Sequence, residues 1–219
     1  AEGLGGPLRA AIGWVSAPGG CGSQLRPADV SGVLHGAAAG RQALGAGARA
    51  ALVGAAEAAA GSFSPQEVGS ALHALATLCC GGGCDVRRAA LALARHAASH
   101  PCCFGPHEAA NALWGLAALG LHSCCGARAL WSRCVELSGS GGTGAFTVQG
   151  RSQLFQAWWA ATEEEQEGSE ACAAADKARE ALALDAAWAE GVLPCRPSSL
   201  QGSVAKALVD VLGAEVTPE

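Results

Sequence analysis

The sequence lacks methionine and tyrosine altogether, and it has a single isoleucine, a single asparagine and two lysines against twelve arginines among its 219 residues. Alanine and glycine dominate instead, a bias typical of a GC-rich gene. Half of the residues are apolar and 15% are charged. This balance is typical of a globular chain and excludes a disordered one.

Long hydrophobic runs and catalytic motifs are also missing. No apolar run reaches the roughly 18 to 20 residues that cross a bilayer, because Gly, Arg, His and Glu interrupt the alanine-rich stretches. The sequence contains no G-x-S-x-G, no phosphate-binding glycine loop with a lysine, no H-E-x-x-H and no acids paired at a catalytic spacing. We therefore expect no membrane partner, no small-molecule substrate, no catalytic residue and no enzymatic activity.

Eleven cysteines are present, including adjacent pairs at 79–80, 102–103 and 124–125. An odd number with adjacent pairs makes a poor disulfide framework for a chain of this length. The segment CCGGGC at 79–84 is the closest approach to a metal motif, but no second CxxC or HxxxH at zinc spacing accompanies it. The sequence predicts thiols in a reducing compartment, no metal site and no cofactor.

The chain contains four versions of one unit, which begin at Pro27, Pro65, Pro106 and Val148 and are separated by 38, 41 and 42 residues. The two clearest copies contain FSPQEVGSALHALATLC at 63–79 and FGPHEAANALWGLAALG at 104–120. A period of about 40 residues is typical of a stacked helical repeat. This repeat is the main feature on which a fold prediction depends.

Each unit has the pattern of a helical hairpin. Proline suits the first turn of a helix, Ser64 is a suitable N-cap, and an acid follows in the first turn of three copies. Apolar residues recur at helical spacing, and the predicted buried stripes are Val30, Leu34 and Ala37; Val68, Leu72 and Leu75; Ala109, Leu113 and Leu116; and Phe155 with Trp158. Glycines are expected to close the first helices at Gly40, Gly81 and Gly120, and second helices are expected at 44–60, 85–99 and 125–138.

The predicted fold is all-α, an α-solenoid of stacked helical hairpins. We expect an N-terminal arm or partial cap at 1–24, a solenoid at 25–161 with units near 27–62, 65–101, 106–140 and 148–161 onward, and an acidic C-terminal helical cap at 162–219. A flexible loop is expected at 138–145, a helix at 171–190 with Ala181, Leu184 and Trp188 inward, and a last helix at 200–212. Because glycine weakens a helix by about 1 kcal/mol relative to alanine, we expect such units to be marginally stable alone.

Charge is divided along the chain. Residues 1–160 carry ten arginines against seven acids, a net charge of +3, whereas residues 161–219 carry four bases against twelve acids, a net charge of −8. The overall charge of −5 therefore conceals a mildly basic repeat region and an acidic tail. Neither half has the strongly basic surface that by itself indicates nucleic-acid binding.

The phrases FSPQEV and PHEAANALWGLAALG resemble the first-helix signature of octotricopeptide-type repeats, and of the similar repeats that precede RAP domains in FAST-kinase-like organellar proteins. The third copy carries the proline, the acid, Asn111, Trp114 and the closing Leu-Gly of that signature. The stretch PSSLQGSVAKALVDVLGAEV resembles the segment that leads into a RAP domain, which is not among these 219 residues.

This resemblance implies an organellar RNA-binding protein, in mitochondria or alternatively in chloroplasts. Its expected partners are single-stranded or ribosomal RNA and the neighbouring proteins of a ribonucleoprotein. A short member without a catalytic domain would be a fixed component of a mitochondrial ribosome or of another ribonucleoprotein, where it holds or stabilises RNA.

The candidate RNA-binding residues come from positions that vary between the units. The second position is occupied by Ala28, Gln66, His107 and Gln149, the sixth by Gly32, Ser70, Asn111 and Gln153, and the ninth by His35, His73, Trp114 and Gln156. These positions share one face of the first helix, where amide, hydroxyl and imidazole groups can bond to base edges or stack on bases. Candidates for base contact are Gln66, Ser70, His73, His107 and Asn111, and candidates for phosphate contact are Arg87, Arg88, Arg95, Arg128 and Arg133.

Structural roles for the same residues remain open at this point. Trp114 is suited to packing between units as well as to stacking on a base, and Asn111 to bonding a neighbouring backbone. His35, His73 and the arginines are equally explained as solvated helix residues. The alternative function is a protein-protein scaffold whose solenoid grips a partner helix or strand, and the net charge of −5 favours it.

Overall fold

The computed structural model describes residues 25–78, 83–164 and 170–192. Within these ranges the chain forms α-helices and no strand, so the all-α prediction is confirmed there. The helices are α1 Pro27–Ala39, α2 Ala46–Ala58, α3 Pro65–Leu78, α4 Cys84–Ser99, α5 Pro106–Ala118, α6 Cys125–Gly141, α7 Val148–Glu164, α8 Glu170–Ala181 and α9 Leu184–Val192. The expectations for residues 1–24, for Gly81 and for the last helix at 200–212 lie outside the described residues.

The four predicted starting residues, Pro27, Pro65, Pro106 and Val148, are the first residues of α1, α3, α5 and α7. A capping box fixes the start of α3. The backbone N–H and the hydroxyl of Ser64 both donate to the Glu67 carboxylate, at 2.7 and 2.8 Å, and the Glu67 N–H donates back to the hydroxyl at 3.3 Å. Such reciprocal bonds satisfy donors that a helix start leaves unpaired, so the residue pattern sets the helix boundary.

A second repeating feature precedes each of these helices by two residues. The position holds a large apolar side chain that is buried in every unit: Leu25, Phe63, Phe104 and Phe146. In units two and three, the second helix also bonds to the carbonyl of this residue, because His96 Nε2 donates to Phe63 at 2.9 Å and Arg133 Nε donates to Phe104 at 3.1 Å. The second helix of a unit therefore holds the entry to its own first helix.

The helices pack in two rows. The first helices α1, α3, α5 and α7 each contact the next one, and so do the second helices α2, α4, α6 and α8. Helix α9 packs on α7, where a fifth first helix would lie. Within the described ranges, no helix combines the length and the apolar character needed to cross a membrane.

The predicted stripes of α1, α3 and α5 are buried, but the stripe of α7 differs from the prediction. Trp158 is buried together with Leu154 and Ala157, whereas Phe155 is half-buried. The ring of Phe155 instead stacks on Trp188 of α9, with centroids 5.0 Å apart. The prediction is confirmed for Trp158 and only in part for Phe155, which packs against the core but stays partly exposed because its cover comes from the ring of Trp188.

Two boundary predictions were also wrong. The loop expected at 138–145 is helical as far as Gly141, where α6 ends, and a short 3-10 turn follows at Thr143–Ala145. The helix expected at 171–190 is two helices, because Ala183 adopts a left-handed φ of 48°. The break lets Leu182 and Leu184 both reach the core, although residues two apart on one helix would point in different directions. Ala181, expected inward, is exposed.

Three glycines allow neighbouring helices to approach closely. A Cβ at Gly115 of α5 would lie 2.6 Å from the backbone of Leu72 in α3, and a Cβ at Gly126 of α6 would lie 2.4 Å from the carbonyl oxygen of Ala94 in α4. A Cβ at Gly69 would lie 2.9 Å from the carbonyl oxygen of Glu108. These glycines therefore offset part of their helix-propensity cost by permitting tighter packing between units.

Candidate nucleic-acid interface

The ninth positions of the units form a connected line along the first-helix row. The rings of His73 and Trp114 lie 4.6 Å apart, centroid to centroid, and are tilted by 30°. Trp114 Nε1 then donates to Gln156 Oε1 at 2.8 Å, so side chains of α3, α5 and α7 are in direct contact. The half-buried Trp114 therefore packs between units, which was the structural alternative to stacking on a base.

The sixth positions are linked in the same way between α5 and α7. Gln153 Nε2 donates to Asn111 Oδ1 at 3.1 Å, and Asn111 Nδ2 donates to His107 Nε2 at 3.0 Å. Asn111 thus bonds to two side chains. Its structural alternative, a bond to a neighbouring backbone, differs from these contacts. These contacts bridge α5 and α7 at the sixth and ninth positions, and a smaller cavity of about 180 Å³ lies at the start of the two helices, beside His107 and Phe146.

The interval between α1 and α3 is different, because Ala28 and Gly32 occupy the second and sixth positions of α1. Without longer side chains there, an open groove of about 330 Å³ remains. It is lined on the α3 side by Gln66, Glu67 and Ser70, and its other lining residues on α1 include Ser31 and His35. The face therefore has one open polar interval and two intervals bridged by side chains.

Burial lowers the pKa of His73 below its usual value, and the neighbouring His35 and His107 lower it further. The folded protein consequently keeps the His73 ring neutral at pH 7. A neutral imidazole has one donor and one acceptor nitrogen, so this part of the face offers hydrogen bonds and an aromatic surface, and not a positive charge.

Two of the three candidate arginines of α4 make side-chain contacts within the chain. Arg87 donates to the carbonyl oxygens of Leu119 and Gly120, at 2.6 and 3.2 Å, and so caps the end of α5. Arg88 forms an ion pair with Glu57 of α2 at 2.5 Å. Arg95 is exposed.

The two candidate arginines of α6 are also engaged. Arg128 pairs with Glu170 of α8 at 2.5 Å, and Arg133 pairs with Glu136 at 3.0 Å in addition to its bond to Phe104. All five arginines belong to the second-helix row, whereas the base-contact candidates belong to the first-helix row. The structure thus places the two candidate sets on different rows of helices.

Cys84, Cys102, Cys103 and Cys125 are exposed free thiols. Cys134 is a buried free thiol, and burial raises its pKa. Among the described residues, no group of three or more His, Cys, Asp or Glu side chains is placed to hold a metal ion.

Comparison with models of protein families, with curated proteins and with solved structures finds no match to this chain. The residues themselves therefore carry the functional argument. Two residues that line the open groove, His35 and Glu67, were not among the candidate RNA-binding residues. The ninth position of His35 in its unit is a sequence signal that could have identified it as a base-contact candidate. Glu67 was interpreted only as the acid of a helix start, so no such signal pointed to it.

Proposed function

We propose that the chain is an α-solenoid that binds single-stranded RNA along the exposed edge of its first-helix row. The observation that carries this proposal is the series of polar and aromatic side chains at equivalent positions of α1, α3, α5 and α7. The ordered contacts between successive first helices and between successive second helices support the solenoid. A small-angle scattering profile that fits a compact helical bundle would contradict the solenoid arrangement.

The chemistry of this edge suits bases better than phosphates. Its groups are amides, a hydroxyl, imidazoles and an indole, which bond to base edges and stack on base faces. Four of the five candidate arginines are engaged within the chain, so few phosphate contacts are available from that set. We therefore expect affinity for RNA to depend only weakly on salt concentration.

The likeness of α3 and α5 to octotricopeptide-type repeats supports an organellar setting. We propose a mitochondrial ribonucleoprotein, with the ribosome as the first candidate and a chloroplast complex as the alternative. In such an assembly the protein holds RNA without changing it chemically. Neighbouring proteins of the complex would stabilise a solenoid built largely from alanine and glycine by binding only its folded form.

The test replaces four edge residues together, Gln66, Ser70, His107 and Asn111, by alanine. The buried stripes stay intact, so helicity should be unchanged and the melting temperature should fall slightly, through loss of the Asn111 hydrogen bonds. Fluorescence anisotropy with labelled single-stranded RNA should show a loss of about 1 to 3 kcal/mol for each base contact removed.

The control replaces the exposed Arg49 and Arg95 of the second-helix row by alanine. This variant should bind RNA with nearly parental affinity. If the control variant loses RNA while the edge variant keeps it, binding occurs through the second-helix row and the proposal is wrong. The same conclusion follows if the parent protein does not bind single-stranded RNA.

The second candidate function is a protein-protein scaffold, and a specific observation favours it. Trp159 of α7 is 50% exposed, next to Phe155 and Trp158, with ring centroids 6.2 and 6.1 Å away. Exposed tryptophan is enriched at binding hot spots between proteins. If Trp159→Ala abolishes association with a co-purifying protein, and the parent protein does not bind single-stranded RNA, the scaffold function replaces the RNA-binding one.

A further inference from the structure

The three intervals of the first-helix face differ in what already fills them. Between α5 and α7, the pairs Asn111–Gln153 and Trp114–Gln156 join the helices by hydrogen bonds of 3.1 and 2.8 Å. Between α3 and α5, the rings of His73 and Trp114 bridge the gap in a tilted contact. A base that enters at the ninth position of either interval, or at the sixth position between α5 and α7, would have to displace a contact that the protein makes with itself.

The interval between α1 and α3 has no such bridge, and its emptiness follows from the sequence. The position of α1 that matches Gln153 of α7 is Gly32, and the position that matches Gln149 is Ala28. The resulting groove of about 330 Å³ lies at the lower end of the range for ligand sites, large enough for one nucleobase but small for an extended ligand.

The walls of this groove carry complementary groups. His35 offers a ring, Gln66 an amide, Ser70 a hydroxyl and Glu67 a carboxylate. The Glu67 carboxylate is held in position because Ser64 donates two hydrogen bonds to its Oε2. Of these four groups, the carboxylate alone accepts without donating, so it selects for a ligand with an N–H donor.

We propose that this groove binds one unstacked nucleobase of single-stranded RNA, and that it prefers a base with an exocyclic amino group. This inference rests on the proposed function and locates its principal base contact. The base stacks on His35, its Watson–Crick or Hoogsteen edge bonds to Gln66 and Ser70, and its amino group donates to Glu67. Adenine, cytosine and guanine meet this requirement, whereas uracil can donate only its ring N3–H, which lies between two carbonyl oxygens that the carboxylate repels.

The decisive variant is Gly32→Gln, which gives α1 the amide that α7 has at the same position. A Cβ at Gly32 meets no atom within 4 Å, so the substitution is compatible with the fold and fills the groove. Gly54→Gln is the matched control, because it makes the same change on α2 where a Cβ also meets nothing within 4 Å. Replacing a helical glycine should raise the melting temperature of both variants.

A further variant, Glu67→Gln, tests the base preference. Glutamine also forms a capping box with serine, so α3 should keep its start. The amide can donate as well as accept, so the preference for amino-bearing bases should fall. Anisotropy titrations use 5′-labelled oligo(A), oligo(C) and oligo(U) of equal length with the parent and all three variants.

For the parent, we expect oligo(A) and oligo(C) to bind about fivefold or more tightly than oligo(U). Gly32→Gln should weaken oligo(A) about tenfold or more, Gly54→Gln should leave it unchanged, and Glu67→Gln should reduce the contrast with oligo(U). If RNA binds the parent and Gly32→Gln equally and without base preference, the groove inference is overturned while the proposed function stands. If the parent binds none of the three oligomers, both are overturned.

Discussion

The imidazole of His73 and the indole of Trp114 face each other across the α3–α5 interface, with centroids 4.6 Å apart. Both residues occupy the ninth position of their unit, and Trp114 donates a hydrogen bond to Gln156, the ninth-position residue of the fourth unit. The exposed face of the repeat therefore helps to hold successive units together. Its capacity to bind a ligand is concentrated where such bridges are missing.

The close contact between α3 and α5 predicts the effect of a single methyl group. In Gly115→Ala, the new Cβ would lie 2.6 Å from the backbone of Leu72, so the two helices must separate. We expect the free energy of unfolding to fall by about 1 to 3 kcal/mol, as for other overpacked sites.

The control for this prediction is Gly54→Ala on α2, where a Cβ meets nothing within 4 Å. The same change of residue should there stabilise the protein by up to about 1 kcal/mol through helix propensity. Urea denaturation of both variants measures the two effects. Equal changes in the two variants would show that α3 and α5 are not in close contact.

Arg87 is predicted to contribute to stability and not to RNA affinity. Arg87→Ala removes the hydrogen bonds to Leu119 and Gly120 and leaves the end of α5 without its cap. Because the arginine is exposed, we expect a loss of about 1 kcal/mol in the free energy of unfolding. Arg95→Ala, on the same helix, should change it by less than about 0.5 kcal/mol.

Thermal denaturation compares the two arginine variants, and RNA titration accompanies it. The structure predicts that Arg87→Ala is less stable than the parent. When assayed below its melting temperature, the variant should bind RNA with parental affinity. If Arg87→Ala instead leaves stability unchanged and lowers RNA affinity, Arg87 contacts a phosphate, as the sequence predicted.

The lowered pKa of His73 predicts a dependence of stability on pH. Below about pH 6.5, His73 takes up a proton in the unfolded chain, whereas in the folded protein it stays neutral until the pH falls further. The unfolded state then binds more protons, so the free energy of unfolding decreases as the pH falls below about 6.5 and is unaffected by this residue above it.

His73→Gln isolates this effect from the other five histidines. Glutamine occupies the ninth position in α7, so the substitution suits the helix. Melting temperatures at pH 7.5, 6.5 and 5.5 should fall less on acidification in the variant than in the parent. An identical decrease in both proteins would show that neither burial nor the neighbouring His35 and His107 protects His73 from protonation.

Local patterns predicted the elements of the fold well. The prolines, Ser64 and the apolar stripes mark helix starts and buried faces through interactions within one helix, which are visible in sequence. The start of α3 at Pro65 and the burial of Leu72 and Leu113 follow directly. The break at Ala183 and the half-exposure of Phe155 depend on which other helix packs there, and a single helix pattern does not contain that information.

The candidate site was predicted less completely, for the same physical reason. Sequence spacing showed that Gln66, Ser70 and His73 share a face, but not that the face of α3 meets a gap on one side and Trp114 on the other. Arg87, Arg88 and Arg128 were assigned to phosphate because their partners are distant in sequence. Arg87 and Leu119, which are 32 residues apart, are one such pair.

Photo-crosslinking of bound single-stranded RNA, followed by mass spectrometry of the crosslinked peptides, gives the sharpest test of RNA binding along the first-helix row. We expect adducts on peptides that contain α1 and α3, the two helices that line the open groove, and we expect their loss in Gly32→Gln but not in Gly54→Gln. Adducts confined to α4 and α6, or to the acidic segment after residue 161, would contradict the proposal.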